Sequence, residues 1–530
     1  MADQVQYVRR FAAKRPTGED GSMTILTVML LSMMLIFGGI AVDIMRFETN
    51  RARLQATLDR SVLAAADLSV CLDPSQDTEA IVEDYIEKAG FADELEEVTV
   101  VQSANSCAVS ATASLEVDTI FFSNVGIDTL STGAGSAATE SLSDAEISLV
   151  VDISGSMGWD GRIEALRPAA VEFVNTVFDS FEPGSVSMSL VPYSTQVNVG
   201  EDILDAFPGM NRYHNYSHCA NLTSAMYDEV GFDMATSIDQ TAHFDADSYS
   251  YNRSYWGASR FVCNPDPNSE VIAHAHEPGM LTTRINQLQP YEWTSIEMGA
   301  KWGLALLDPS TADITAYLES QGVVDQLVDD RPLEYGGDSM KVMVLMTDGE
   351  NTQSYELDPP YRTGLSDVYI DDDTGLYYVE DEEQGNKDWD GSYWEDWYRP
   401  DYDNWTNGIP WDARQLTWPE LFDRINVDGH AWYFRAEQYG SGHNFNSWYS
   451  GIFETTYSST KNTRLLALCD LAKEQGIVIF TIGFQVPAAA DTVMESCAPS
   501  PSYYYDVDDL DIDEAFTSIA TQISALRLIQ

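Results

Sequence analysis

At 530 residues the chain exceeds what one hydrophobic core organises, about 250 to 300 residues, so at least two folded units are expected. Apolar residues make up 44% and aromatics 11%, which excludes disorder throughout in spite of a formal charge of −57. A surface this acidic repels phosphates and attracts cations and basic partners, which excludes a nucleic-acid partner.

In chain order, the first element is Met23 to Val42, MTILTVMLLSMMLIFGGIAV, a run of twenty residues without a charge between Asp20 and Asp43. It is long enough to span a bilayer and exceeds a signal-peptide core of about 7 to 15 residues. No small-x-small cleavage site follows it, so the run is expected to stay as an anchor behind a short tail, residues 1–22. Residues 1–70 hold eight Lys/Arg against seven Asp/Glu, so the negative charge belongs to the downstream body. Arg9, Arg10, Lys14 and Arg15 before the span are matched by Arg46, Arg51, Arg53 and Arg60 after it, and basic residues therefore do not fix its orientation. The cysteines do. Cys71, Cys107, Cys219, Cys263, Cys469 and Cys497 form no CxxC pair and fall two by two into three regions. This predicts the disulfides Cys71–Cys107, Cys219–Cys263 and Cys469–Cys497, and an oxidising compartment for the body.

After the span, residues 43–70 carry Leu54, Leu58, Val62 and Ala65 at spacings of four, four and three, one apolar helix face. Span and stalk read as one helix of about 45 residues whose stripe packs on a partner helix or on the following small unit. That unit, residues 71–143, holds the strand patterns EEVTVVQ and CAVSATASLEV. Ser131 to Asp144, STGAGSAATESLSD, reads as a linker.

Residues 144–530 alternate strand and helix patterns: EISLVVD, then RIEALRPAAVEFVNTVFDSF, SVSMSLVPYS, MKVMVLMT, TRLLALCDLA and GIVIFTIGF. The expected fold class is α/β, a doubly wound, mostly parallel, Rossmann-like sheet. Insertions at about 195–280 and 352–462 are too long for connecting loops, and the second holds eight of the chain's 12 tryptophans. These aromatics serve either recognition or the core of a small acidic insert.

Loops at the carboxyl ends of parallel strands gather ligand groups, and Asp152, Ser154, Ser156 and Asp348 fall on two such ends. Hydroxyl and carboxylate oxygens suit a hard cation, Mg²⁺ first, with Mn²⁺ or Ca²⁺ as alternatives. Helix capping accounts for one serine but not for the distant Asp348. His214 and His218, and His274 and His276, read as satisfied histidines, and Asp371, Asp373 and Gly375 as an acidic turn without EF-hand spacing. GxSxG, HExxH and P-loop patterns are missing, so a binding protein is expected and not an enzyme.

D-I-S-G-S at 152–156 resembles the metal-ion-dependent adhesion motif of von Willebrand factor A domains, and T-D-G at 347–349 its later aspartate loop. The resemblance implies that Ser154, Ser156 and Thr294 offer hydroxyls to the metal, that Asp152 and Asp348 act through waters, and that a partner's carboxylate completes the shell. The family places Gly two residues before the threonine, where this chain has Glu292, and Thr282 and Thr283 are alternatives to Thr294. DGSMTILTVMLL with GGIAVDIMRFETNRARLQATLDRSVLAAAD, and LCDLAKEQGIVIFTIGF with PSYYYDVDD, resemble the ends of TadG-like proteins of bacterial tight-adherence (Flp) pilus systems. That family implies a single-pass inner-membrane assembly component, its body in the periplasm or outside the cell, bound to other pilus components; self-association is left open. Prepilins of these systems are cut after Gly and carry Glu at the fifth following position, but after Gly21 that position is Leu26, which favours an uncut anchor. A general surface adhesin is the alternative reading.

Overall fold

A computed structural model describes residues 20–71, 76–102, 106–141, 144–246, 256–336, 339–380, 386–387, 393–395, 397–439, 444–508 and 511–526. The tail expected at 1–22 lies outside them up to residue 19. The chain divides into two compact units, Met1–Ser141 and Leu142–Gln530.

The first unit is built on helix α1, Asp20–Ala66, whose 47 residues make it roughly 70 Å long at 1.5 Å per residue. Its first half is apolar all round, with Met34 74% and Phe37 67% exposed, and the helix is long and apolar enough to cross a membrane. In its second half Leu54, Leu58, Val62 and Ala65 are buried against Val82 and Ile86 of α2 (Thr78–Ala89) and against Val109, Ala111, Ala113 and Leu115. The stripe thus packs within its own unit.

Those last residues lie on β2 (Ser106–Asp118), the centre of an antiparallel sheet between β1 (Leu95–Gln102) and β3 (Thr129–Ser141). The linker expected from Ser131 to Asp144 is corrected here. Thr129 to Ser141 pair with β2 along its whole length, from Asp118 to Ser106. The glycines and alanines that suggest a flexible join instead let the sheet approach α1: Ala134 and Ala138 pack on the core, and Gly135 O accepts a hydrogen bond from Gln55 at 3.0 Å. The disulfide Cys71–Cys107 ties the far end of the helical segment to β2.

The second unit centres on a six-stranded sheet. Its strands are β4 (Asp144–Asp152), β5 (Val186–Tyr193), β6 (Ile272–Ala275), β7 (Ser339–Thr347), β8 (Val478–Phe484) and β9 (Tyr504–Val507), in the order β9-β8-β7-β4-β5-β6. All neighbours are parallel except β5 and β6. Side chains alternate between two cores, as the pleat requires. Ile147, Leu149, Val151, Val344 and Met346 meet α3 (Arg162–Asp179), α4 (Pro278–Gln287) and α8 (Ile512–Leu526) on one side. Val150, Val191, Met343 and Leu345 meet α5 (Ile296–Ala305), α6 (Ser458–Glu474) and α7 (Ala488–Cys497) on the other. Strand β6 begins inside the segment expected to be insertion. The remaining sheets of this unit are antiparallel or mixed, so parallel pairing belongs chiefly to the central sheet.

The two insertions share a third core. Phe244 and Val262 from the first pack with Val368, Ile370, Leu416, Phe422, Phe434 and Phe453 from the second, beside a five-stranded antiparallel sheet. Trp418 is buried there, and Trp432 and Trp448 pack against it, whereas Trp411 is 95% exposed; Trp389 and the side chain of Trp394 lie outside the described residues. The disulfides Cys219–Cys263 and Cys469–Cys497 join the pairs expected from sequence.

Candidate metal centre

Strands β4 and β7 are neighbours, with Val151 opposite Met346, yet β4 leads on to β5 on one side and β7 to β8 on the other. The carboxyl ends of both strands therefore lie side by side at a point where the strand order reverses, the place where ligand groups gather in open parallel sheets. Asp152 ends β4 and Asp348 follows β7 directly, so the two carboxylates come from adjacent strand ends.

Asp152 is fully buried. Its Oδ1 accepts the Ser154 N–H at 2.7 Å, and its Oδ2 accepts the Thr347 hydroxyl at 2.7 Å. Ser154 Oγ lies 3.1 Å from Ser156 Oγ, and Ser156 donates to Asp348 Oδ1 at 2.7 Å. The other oxygen of Asp348 accepts Arg162 Nη1 at 2.8 Å. Burial, then the charge of Asp348, pushes Asp152 up to about 7. Burial also raises Asp348, against the opposing pull of Ser156 and Arg162. Of the two buried carboxylates, Asp348 is paired with the Arg162 guanidinium and Asp152 is held by neutral donors alone.

Thr294 arrives from the loop before α5. A Cβ placed on Gly349 would lie 3.7 Å from Ser156 Oγ and 3.9 Å from Thr294 Oγ1, so the three loops meet at that point. Thr294 is fixed there by its N–H to Thr352 Oγ1 and by the Thr352 N–H to its carbonyl, each at 3.0 Å. Asn351 Oδ1 accepts the Ile296 N–H at 2.7 Å, binding the start of α5 to the aspartate loop. Thr282 and Thr283, the alternatives to Thr294, donate back to Gly279 within α4. Among the described residues no group of three His, Cys, Asp or Glu side chains is placed to hold a metal, so hydroxyls dominate this donor set. Such donors fit a hard cation. Trp159, three residues after Ser156, is 65% exposed, and Trp293, next to Thr294 in the chain, 43%.

The structure brings together the five residues singled out from sequence, Asp152, Ser154, Ser156, Thr294 and Asp348, and adds Arg162, Thr352 and Asn351, which the sequence did not point to. Arg162 opens α3 just after the serine loop, and its charge beside an aspartate motif is the only signal it gives. His214 Nε2 donates to Thr241 O at 2.9 Å, whereas His274, expected to be satisfied, is buried with its Nε2 without a hydrogen-bond partner among the described residues; burial pushes the two down, to about 4 and about 3. Asp371 accepts the Asp373 N–H and the Thr374 hydroxyl, an acidic turn. A line of serine, histidine and aspartate also forms: Ser217 Oγ is 3.1 Å from His243 Nδ1, and His243 Nε2 is 3.3 Å from Asp423. Ser217 and His243 are 1% and 2% exposed, and the ring is stacked between Tyr216 and Phe261, so the line is closed to a substrate.

Residues 21–68 match the Tad family, described as Flp pilus-assembly TadE/G-like, so the anchor and stalk carry that family's pattern. No curated protein matches the chain. Similar solved structures include the von Willebrand factor domain of the type V pili tip protein Mfa5 from Porphyromonas gingivalis. Identity to it is 13%, over 73% of this chain and 97% of that one, at a TM-score of 0.31. The pilus adhesin SpaC from Lactobacillus rhamnosus GG shows 13% identity over 81% of this chain, at a TM-score of 0.30. The matched part spans about a third of SpaC, 34%. The adhesive tip pilin GBS104 from Streptococcus agalactiae shows 14% identity over 72% of this chain and 99% of that one, at a TM-score of 0.28.

Proposed function

We propose that this chain is a membrane-anchored component of tight-adherence pilus assembly that captures a protein partner at a metal-ion-dependent adhesion site. The observation that carries the reading is the hydrogen-bonded line Ser154–Ser156–Asp348 at the ends of adjacent strands, with Thr294 brought beside it. In this reading the central sheet is a doubly wound von Willebrand factor A sheet, and Met23–Val42 is a retained span with the body in the periplasm or outside the cell. Ser154, Ser156 and Thr294 would hold Mg²⁺, with Mn²⁺ or Ca²⁺ as substitutes, while Asp152 and Asp348 orient hydroxyls and water around it. When bound, the ion supplies a hard Lewis-acid point that accepts a carboxylate. The chain's own residues do the rest. Arg162 keeps Asp348 turned toward Ser156, Thr347 and the Ser154 N–H lock Asp152, and Trp159 and Trp293 offer apolar faces to the partner around its carboxylate.

The test is calorimetric titration of the full-length chain in detergent micelles with Mg²⁺ and Mn²⁺, followed by capture of pilus components with and without chelator. Asp348→Asn and Ser156→Ala should lose both metal binding and capture while circular dichroism stays unchanged. An intact chain that binds no divalent cation, or captures equally well in chelator, overturns the reading.

A further inference from the structure

The residue that closes the apolar run of α1 is Asp43, and it is 2% exposed. Its Oδ2 accepts the backbone N–H of Phe121 at 2.7 Å and of Phe122 at 2.9 Å, and its Oδ1 accepts that of Ile120 at 3.1 Å. One helical turn earlier, Gly39 lies against the Phe121 ring, where an added Cβ would come within 2.3 Å of Phe121 Cδ1. The loop joining β2 to β3 is therefore pinned beside residues 39–43, at the depth where the charge-free run ends. From Thr119 to Ile127 it reads TIFFSNVGI, without a charge, between Asp118 and Asp128. Ile120 is 56% exposed, Phe121 38%, Val125 57% and Ile127 43%.

Four large apolar side chains exposed on one short loop mark a contact surface. What covers them follows from position, since they continue the apolar surface of a helix that crosses a membrane at this level. Most N–H groups of the loop are also satisfied within the protein, which lowers the cost of placing its backbone in hydrocarbon. Besides the N–H groups held by Asp43, those of Thr119, Asn124, Gly126 and Ile127 go to the carbonyls of Asp128, Phe121, Ser123 and Phe122. The hydroxyls of Thr119 and Ser123 donate to Ile127 O and Ile120 O, and the Asn124 amide to Phe121 O.

We propose that the Thr119–Ile127 loop is a second membrane contact, dipping into the leaflet from which α1 emerges and locked to the helix by Asp43. The proposal rests on the reading of Met23–Val42 as a span. Ile120, Phe121, Val125 and Ile127 lie among acyl chains, and the loop fixes the height and tilt of the first unit on the bilayer surface.

The experiment uses the full-length chain in phosphatidylethanolamine–phosphatidylglycerol vesicles, with an environment-sensitive nitrobenzoxadiazole dye on one introduced cysteine. The positions are Val125→Cys in the loop, Met34→Cys in the span and Thr139→Cys at the far end of β3. Val125 and Met34 dyes should lose emission to nitroxide-bearing lipids and resist aqueous iodide, while the Thr139 dye does the reverse. Adding Asp43→Ala should return the Val125 dye to iodide and leave the Met34 dye unchanged. A Met34 dye quenched by lipid beside a Val125 dye open to iodide, or shielded from both quenchers by protein, overturns the loop proposal alone. A Met34 dye untouched by lipid quencher overturns the span reading and the proposal with it.

Discussion

Glu292 stands at a φ of 53°, in the left-handed region where glycine is relaxed and a side chain is strained. Its carbonyl accepts the Gly155 N–H at 2.8 Å, which joins the threonine loop to the serine loop. On the proposed reading, this is the position where the von Willebrand factor A pattern has glycine, and Glu292 adopts the backbone conformation that glycine would take there. On the proposed metal-site reading, Glu292→Gly should leave Mg²⁺ affinity intact and relieve about 1 kcal/mol of backbone strain in urea unfolding, less what the pairing of its nearly buried carboxylate with the half-exposed Arg260 contributes. Gly155→Ala should do the opposite at the site. Its Cβ would lie 2.9 Å from Glu292 O, a backbone atom that cannot swing aside, so titration should show metal affinity reduced by about 10-fold or more. Away from the site, burial holds His274 neutral, with Lys341 and Arg331 adding to the effect, down to about 3. The unfolded chain then binds the extra proton, so stability is full above about pH 6.5 and falls on acidification toward 3, by up to about 1.4 kcal/mol per pH unit. Thermal unfolding of His274→Gln should show a flatter dependence across that window. That Asp152, Ser154, Ser156 and Asp348 meet was legible because D-I-S-G-S and T-D-G sit at strand ends. That Thr294 joins them was the least legible, because a backbone angle leaves no letter in the sequence when glutamate adopts it.

Strands buried on both faces read as continuous apolar runs, which is why β4, β5, β7 and β8 are visible from sequence alone. Strand β6 is not, since its four residues lie in a long irregular stretch and pair in the opposite sense. Strand β3 reads as a linker because propensity disfavours its glycines and alanines, and only the proximity of α1 makes small residues the right ones. Leu58, fully buried in that contact, should cost about 2 to 5 kcal/mol when changed to alanine, measured by urea unfolding of the full chain in micelles. Helices α6 and α7 are joined by Cys469–Cys497 across 28 residues. Replacing both cysteines with alanine should lower the unfolding free energy by about 3 to 4 kcal/mol on the chain-entropy account, with the central sheet still formed by circular dichroism.

At the scale of the whole molecule, the sequence shows where the α/β rhythm is interrupted but not that the interruptions belong together. Nothing local in Phe244 or Val262 points to Phe434 or Phe453, because their contact spans far more sequence than any periodicity can report. Trp418, Trp432 and Trp448 of the second insertion lie in or against that common core, whereas Trp411 is 95% exposed. The shared core also sets an order of events. As the chain leaves the ribosome, Ala242, Phe244, Ala246 and Val262 emerge before most of the core they join and must wait through some hundred further residues, β7 among them, for the rest of it. Removing either insertion alone would bare aromatic and aliphatic side chains of the other, so the two segments, far apart in sequence, stand or fall as one folded body.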